Sequence, residues 1–146
     1  MTDDSFLTDV LRTAGWSADR TVATDSAATA LARDGHAIWD ALLAFLREFS
    51  GLTIRFMRNG REDSAWFDAE RATAWADTTS VRAYEERLRT TLSPVGYAHH
   101  DHLLLLVARD GRFLGAYDDF LADLGRSPVE LLRNLLNNTV TPIDAA

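Results

Sequence analysis

Apolar and polar positions alternate along this chain with two different periods. Phe6, Val10 and Ala14 recur at helical spacing, with Leu7 and Leu11 beside them, and Gly15 supplies a stop. A second short helix is predicted over 26–33, ended by Gly35. The third, over 36–49, carries Ile38, Leu42, Phe45, Leu46 and Phe49 on one face, widened by Trp39 and Leu43. So wide an apolar face predicts burial against more than one element. Gly51 ends it.

The period then drops to two. Leu52, Ile54 and Phe56 point one way and Thr53, Arg55 and Met57 the other, which predicts a half-buried strand. Asn59-Gly60 is a hairpin signal, with Ala65-Trp66-Phe67 on the return strand. A helix carrying Val81, Tyr84, Leu88 and Leu92 is predicted to run until Pro94. Three more strands are expected at 95–98, 103–107 and 113–117, with Asp110-Gly111 turning the last pair. Leu103–Val107 is apolar throughout, so it is expected to be a central strand covered on both faces. Ser127-Pro128-Val129-Glu130 is a capping box opening a last helix that buries Leu131, Leu132, Leu135 and Leu136. The tail 139–146 is expected to fray. With no repeat or linker in sight, the pattern predicts one α+β domain over 1–146: a mainly antiparallel sheet of about five strands, with helices at both chain ends and between strands.

Composition narrows the chemistry. The chain has 146 residues, no cysteine, and 15 basic residues that are all arginine. Thiolate metal sites, cysteine nucleophiles, lysine Schiff bases and P-loops are therefore excluded. No Gly-x-Ser-x-Gly elbow or His-Glu-x-x-His motif is present. No catalytic residue, metal or cofactor is expected. The acidic start without an apolar run argues against a secretory signal, and no apolar run is long enough for a bilayer. A soluble cytoplasmic protein is the simplest expectation.

The net charge is −7, with 22 acidic residues. Such a balance disfavours direct nucleic-acid binding and suits a basic protein partner. The excess sits in the two ends of the chain: net −4 over 1–51, 0 over 52–96 and −3 over 97–146. Asp118, Asp119 and Asp123 fall together after the last expected strand, either capping a helix or forming an acidic patch for such a partner. Trp66 shares a strand face with Ser64 and Asp68, which makes it a candidate exposed anchor. Tyr97-Ala98-His99-His100-Asp101-His102 is the one dense cluster of potential ligands. It offers a metal or small-ligand regulatory site as the alternative to an exposed turn, where Asp101 would add to the acidic binding surface. The candidate partner-binding residues are thus Trp66, Asp101, Asp118, Asp119 and Asp123.

Several segments, in order, resemble the SUKH superfamily of bacterial immunity proteins, in particular its third subfamily. They are Ala14-Gly15-Trp16 with Arg20 and Val22, the helix end Phe45-Leu46-Arg47-Glu48-Phe49-Ser50-Gly51-Leu52, Pro94-Val95-Gly96, Asp110-Gly111-Arg112, and Leu124-Gly125-Arg126-Ser127. Together they span about 6–138. At Ser50 the chain departs from the second glycine that the family often carries. The resemblance implies an α+β fold with an antiparallel sheet. It also implies a non-enzymatic role: neutralising a cognate protein toxin, often a nuclease or deaminase, delivered between competing bacteria. Trp16, Arg20 and Gly51 would then be fold determinants. The sequence leaves the oligomeric state open.

Overall fold

In the computed structural model, residues 4–143 are described. Helices α1 (Asp4–Thr13), α2 (Asp25–Arg33) and α3 (Asp40–Phe49) precede a hairpin of β1 (Thr53–Arg58) and β2 (Arg61–Phe67). Two helices follow, α4 (Ala69–Trp75) and α5 (Thr78–Leu88). Then come β3 (Leu92–Ala98), β4 (Leu103–Ala108), β5 (Phe113–Tyr117), β6 (Phe120–Gly125), α6 (Pro128–Leu136) and β7 (Thr141–Pro142). The strands form one curled antiparallel sheet in which spatial order equals chain order. The fold is a single α+β domain, as expected, but the sheet has seven strands instead of five.

The two extra strands are β6 and β7. Asp118-Asp119 is a two-residue turn between β5 and β6, with Asp118 left-handed at φ 47, and not a helix cap. Apolar residues fall on both faces of β6, with Leu124 and Phe120 in one core and Leu121 in the other. Burial on both sides removes the alternation that would mark a half-buried strand. The tail is held, not frayed, through Ile143: Thr141 and Pro142 pair with Asp123 and Ala122, and the Ile143 N–H donates to the Leu121 carbonyl at 2.7 Å. Residues 144–146 of that expected tail lie outside the described residues.

Local chemistry accounts for the other boundaries. Helix α1 ends in a Schellman closure, with the Gly15 N–H bonded to Arg12 and the Trp16 N–H to Leu11. Helix α2 closes the same way through Gly35 and His36, which consumes His36 and leaves Trp39 extended as the residue before α3. Helix α3 therefore starts four residues later than expected. The helix predicted to reach Pro94 stops at Leu88, because Arg89 turns left-handed (φ 55) and Leu92 enters β3 opposite Ala108. The Glu85 carboxylate takes the Leu92 N–H at 2.9 Å and fixes that exit. Helix α4, which the periodicity did not predict, is capped by the Asp68 carboxylate on the Arg71 N–H. The capping box at Ser127 is present, with the Glu130 N–H on its hydroxyl at 3.1 Å.

Strand β4 lies at the centre of the sheet and is buried at every position. Leu103, Leu105 and Val107 enter one core with α1, α3 and α6, while Leu104, Leu106 and Ala108 enter a second core with α4 and α5. The first two of the segments that carried the resemblance meet around the end of α3. The Arg20 guanidinium donates to the Glu48 and Ser50 carbonyls at 2.6 Å each, and the Trp16 indole donates to the Glu48 carboxylate at 3.0 Å. Gly51, at φ +90, leaves room for that guanidinium. Gly96 follows a bulge at Val95, and a Cβ there would lie 2.0 Å from the Trp66 carbonyl oxygen.

Candidate protein-binding surface

The sheet register lines up one residue per strand on the second face: Trp66, Tyr97, Leu104, Ala116 and Leu121. Trp66 and Tyr97 are cross-strand partners with rings 5.5 Å apart. Trp75, at the end of α4, meets the Trp66 ring edge-on at 5.5 Å and the Tyr97 ring at 5.7 Å. Helix α4 sets Arg71 four residues before Trp75, and its guanidinium sits 4.1 Å over the Trp66 ring and 4.4 Å over that of Trp75. Such contacts attract a cation to the electron-rich ring face. Trp66 is only 6% exposed, so it is not the exposed residue that its strand face suggested; the exposed tryptophan of this stack is Trp75, at 51%. Helices α4 and α5 cover the face that the pattern had left to solvent.

Beside this stack lies a groove of about 270 Å³, lined by Ala76, Asp77, Ser80, Tyr84, Tyr97, His102, Leu104, Ala116, Tyr117 and Asp118. The small side chains of Ala76 and Ala116 leave the hollow. Tyr117 forms a wall against the His102 ring, with centroids 4.2 Å apart, and stacks on Phe120. The Tyr84 hydroxyl donates to the Asp118 carbonyl at 2.7 Å, tying α5 to the turn. Burial, reinforced by the Asp118 charge, pushes the Tyr84 phenol above its ordinary pKa; burial and Asp101 do the same at Tyr97. Both phenols stay neutral and keep their protons.

The 99–102 connection is the most strained backbone described. His99, His100 and Asp101 are all left-handed, at φ 55, 57 and 62. A left-handed non-glycine residue costs roughly 1–2 kcal/mol, so three in succession need firm support. The buried Asp63 carboxylate supplies it: it accepts from Arg58 Nε at 2.6 Å, the Ser64 N–H at 2.7 Å and the His100 N–H at 3.0 Å. The Asp101 carboxylate in turn accepts the Trp66 indole N–H at 2.6 Å.

This geometry parts the histidines. His99 packs edge-on against Phe56, His102 faces Tyr117, and His100 is exposed. Burial, then Arg58, lowers the His99 pKa. Among the described residues, no group of three His, Cys, Asp or Glu side chains is placed to hold a metal ion. The metal-site alternative is corrected accordingly: a left-handed turn directs the side chains apart.

Of the acidic candidates, Asp101 and Asp118 stand at this surface, with Asp119 beside Asp118. Asp123 does not. It lies four residues along β6, about 13 Å from Asp119 at strand rise, and its carboxylate accepts the Gly125 N–H at 2.8 Å. Sequence reading missed Trp75, Arg71 and Tyr117, and took Tyr97 and His102 only as members of a ligand cluster. The i,i+4 spacing of Arg71 and Trp75 was the available signal.

The SUKH-3 immunity protein family matches residues 5–138. The chain belongs to this family. Searches of curated proteins and of solved structures return no match. Membership makes this SUKH-3 protein a toxin-neutralising immunity protein whose partner is a cognate toxin. No helix among the described residues is long and apolar enough to cross a membrane.

Proposed function

We propose that this SUKH-3 protein acts in the cytoplasm, without catalysis, by binding a nuclease- or deaminase-type toxin domain of a polymorphic or contact-dependent system and blocking its substrate groove. Family membership across residues 5–138 carries the reading. The net charge of −7 supports a basic, nucleic-acid-directed partner over nucleic acid itself. The contact surface is the aromatic and acidic face formed by Trp75, Tyr117, His102, Asp101, Asp118 and Asp119, with Trp66 as its buried support.

Co-expression with the toxin domain encoded beside the gene tests the reading. Protection of cells, with a one-to-one complex whose association slows as salt rises, is the expected result. A toxin that kills equally with and without the protein refutes it.

A further inference from the structure

We infer that the groove beneath Tyr117 seats an arginine side chain from a basic segment of the toxin. This deepens the proposed function and rests on it for the identity of the partner. Three observations carry the inference. The groove is walled by aromatic rings, those of Tyr97, Tyr84 and Tyr117, with the His102 ring against Tyr117. Asp77 and Asp118 also line it, and no arginine of this chain does. A carboxylate beside ring faces is complementary to a guanidinium, which stacks flat and donates in a fork.

The third observation is that the protein already uses this chemistry next door. Arg71 lies over Trp66 and Trp75, and Trp75 in turn contacts Tyr97, which lines the groove. One end of the aromatic row is thus occupied by an internal guanidinium, while the other opens between Tyr117 and α5. Asp118 is exposed, and its carboxylate takes no hydrogen bond from any described residue, so it is free to pair outward.

The test uses the full 146-residue protein and two capped tripeptides, acetyl-Gly-Arg-Gly-amide and its citrulline counterpart, which keeps the shape and drops the charge. Saturable shifts of the His102, Tyr117 and Asp118 amide resonances are expected with the arginine peptide and not with citrulline. Asp118→Asn should weaken that binding at least threefold. Asparagine tolerates the left-handed backbone at this turn, so the variant remains folded. Tyr117→Ala should weaken it further, while Asp9→Asn on α1, against the opposite face, should change nothing. Equal shifts with citrulline, or no saturable shift at the groove, overturn the inference.

A second arm uses the toxin. If the wild-type protein protects cells and the Tyr117→Ala, Asp118→Asn double variant binds the toxin at least tenfold more weakly, the groove is the seat. If the double variant binds as tightly as wild type, the groove is not the seat and the immunity reading stands. If the wild-type protein fails to protect, the immunity reading falls, and the peptides alone decide what the groove takes.

Discussion

Replacing Asp63 by alanine should loosen the 99–102 turn and much of the molecule with it. The carboxylate is buried and holds three donors: Arg58, Ser64 and His100. A hydrogen bond to a charged group contributes about 1.5–3 kcal/mol when fully buried. Arg58 keeps 24% of its side chain in water and rehydrates in the variant, so its share is near the low end. The two backbone donors add roughly 1 kcal/mol each, and the His100 N–H belongs to a turn already bearing strain. The expected loss is about 3–4 kcal/mol, or a fall in Tm of roughly 10 °C for a chain of this size. Thermal and denaturant unfolding followed by tryptophan signals measures it, and amide exchange at His100 reports the turn directly. Asp63→Asn, which retains an acceptor, should lose about half as much. A loss below about 1 kcal/mol in the alanine variant, with His100 protection unchanged, would refute the claim that Asp63 holds this turn.

The pH dependence of the same group has a definite sign. Burial pushes the Asp63 carboxyl up, but the Arg58 hydrogen bond and the two N–H groups outweigh it and hold the pKa below 3.8. The unfolded chain therefore takes the proton first, so the stabilisation is present above about pH 4 and lost as pH falls through the folded pKa. Asp63→Asn should flatten that acid limb. His36 is lowered from 6.5 by burial, then by Arg82, so its share of stability is complete above about pH 6.5 and declines below it; His36→Gln should reduce the slope there in a pH–stability series. Gly96→Ala should abolish soluble folded protein, since its Cβ would meet the Trp66 carbonyl of the neighbouring strand at 2.0 Å. Leu105→Ala should cost about 3 kcal/mol in denaturant unfolding, because a residue 1% exposed leaves a cavity. Asp110→Ala, which breaks a partly exposed pair with Arg112, should cost under about 1 kcal/mol by the same measurement.

Elements whose environment was one-sided, or uniformly apolar, were legible in the sequence. Leu103–Val107 read as central because five consecutive apolar residues demand cover on both faces, and β4 has it. Ser127, Gly15 and Asn59-Gly60 were legible because caps and turns are local chemistry. What escaped was decided by partners distant in sequence. Leu92 continues a helical spacing, yet pairing with Ala108 takes it into the sheet. Trp66 shares its strand face with the polar Ser64 and Asp68, yet α4 folds over it. At the candidate surface, Asp101 and Asp118 were found by their charge. Tyr97 and Tyr117, from different strands, become neighbours of His102 only through register and a turn.

The meander order of the sheet bears on how the molecule assembles. Every strand after the first pairs with the strand before it in the chain; β1–β2, β3–β4, β4–β5 and β5–β6 close through short turns, while helices α4 and α5 span the β2–β3 connection and α6 the β6–β7 one. A ribosome releasing this chain delivers the strands in the order in which they are laid down. Helices α1 and α6 depart from that order, since α1 contacts both β1 and α6, and α6 also contacts β1. These contacts join the two ends of the chain and close the longest loops of the fold, the costliest in chain entropy.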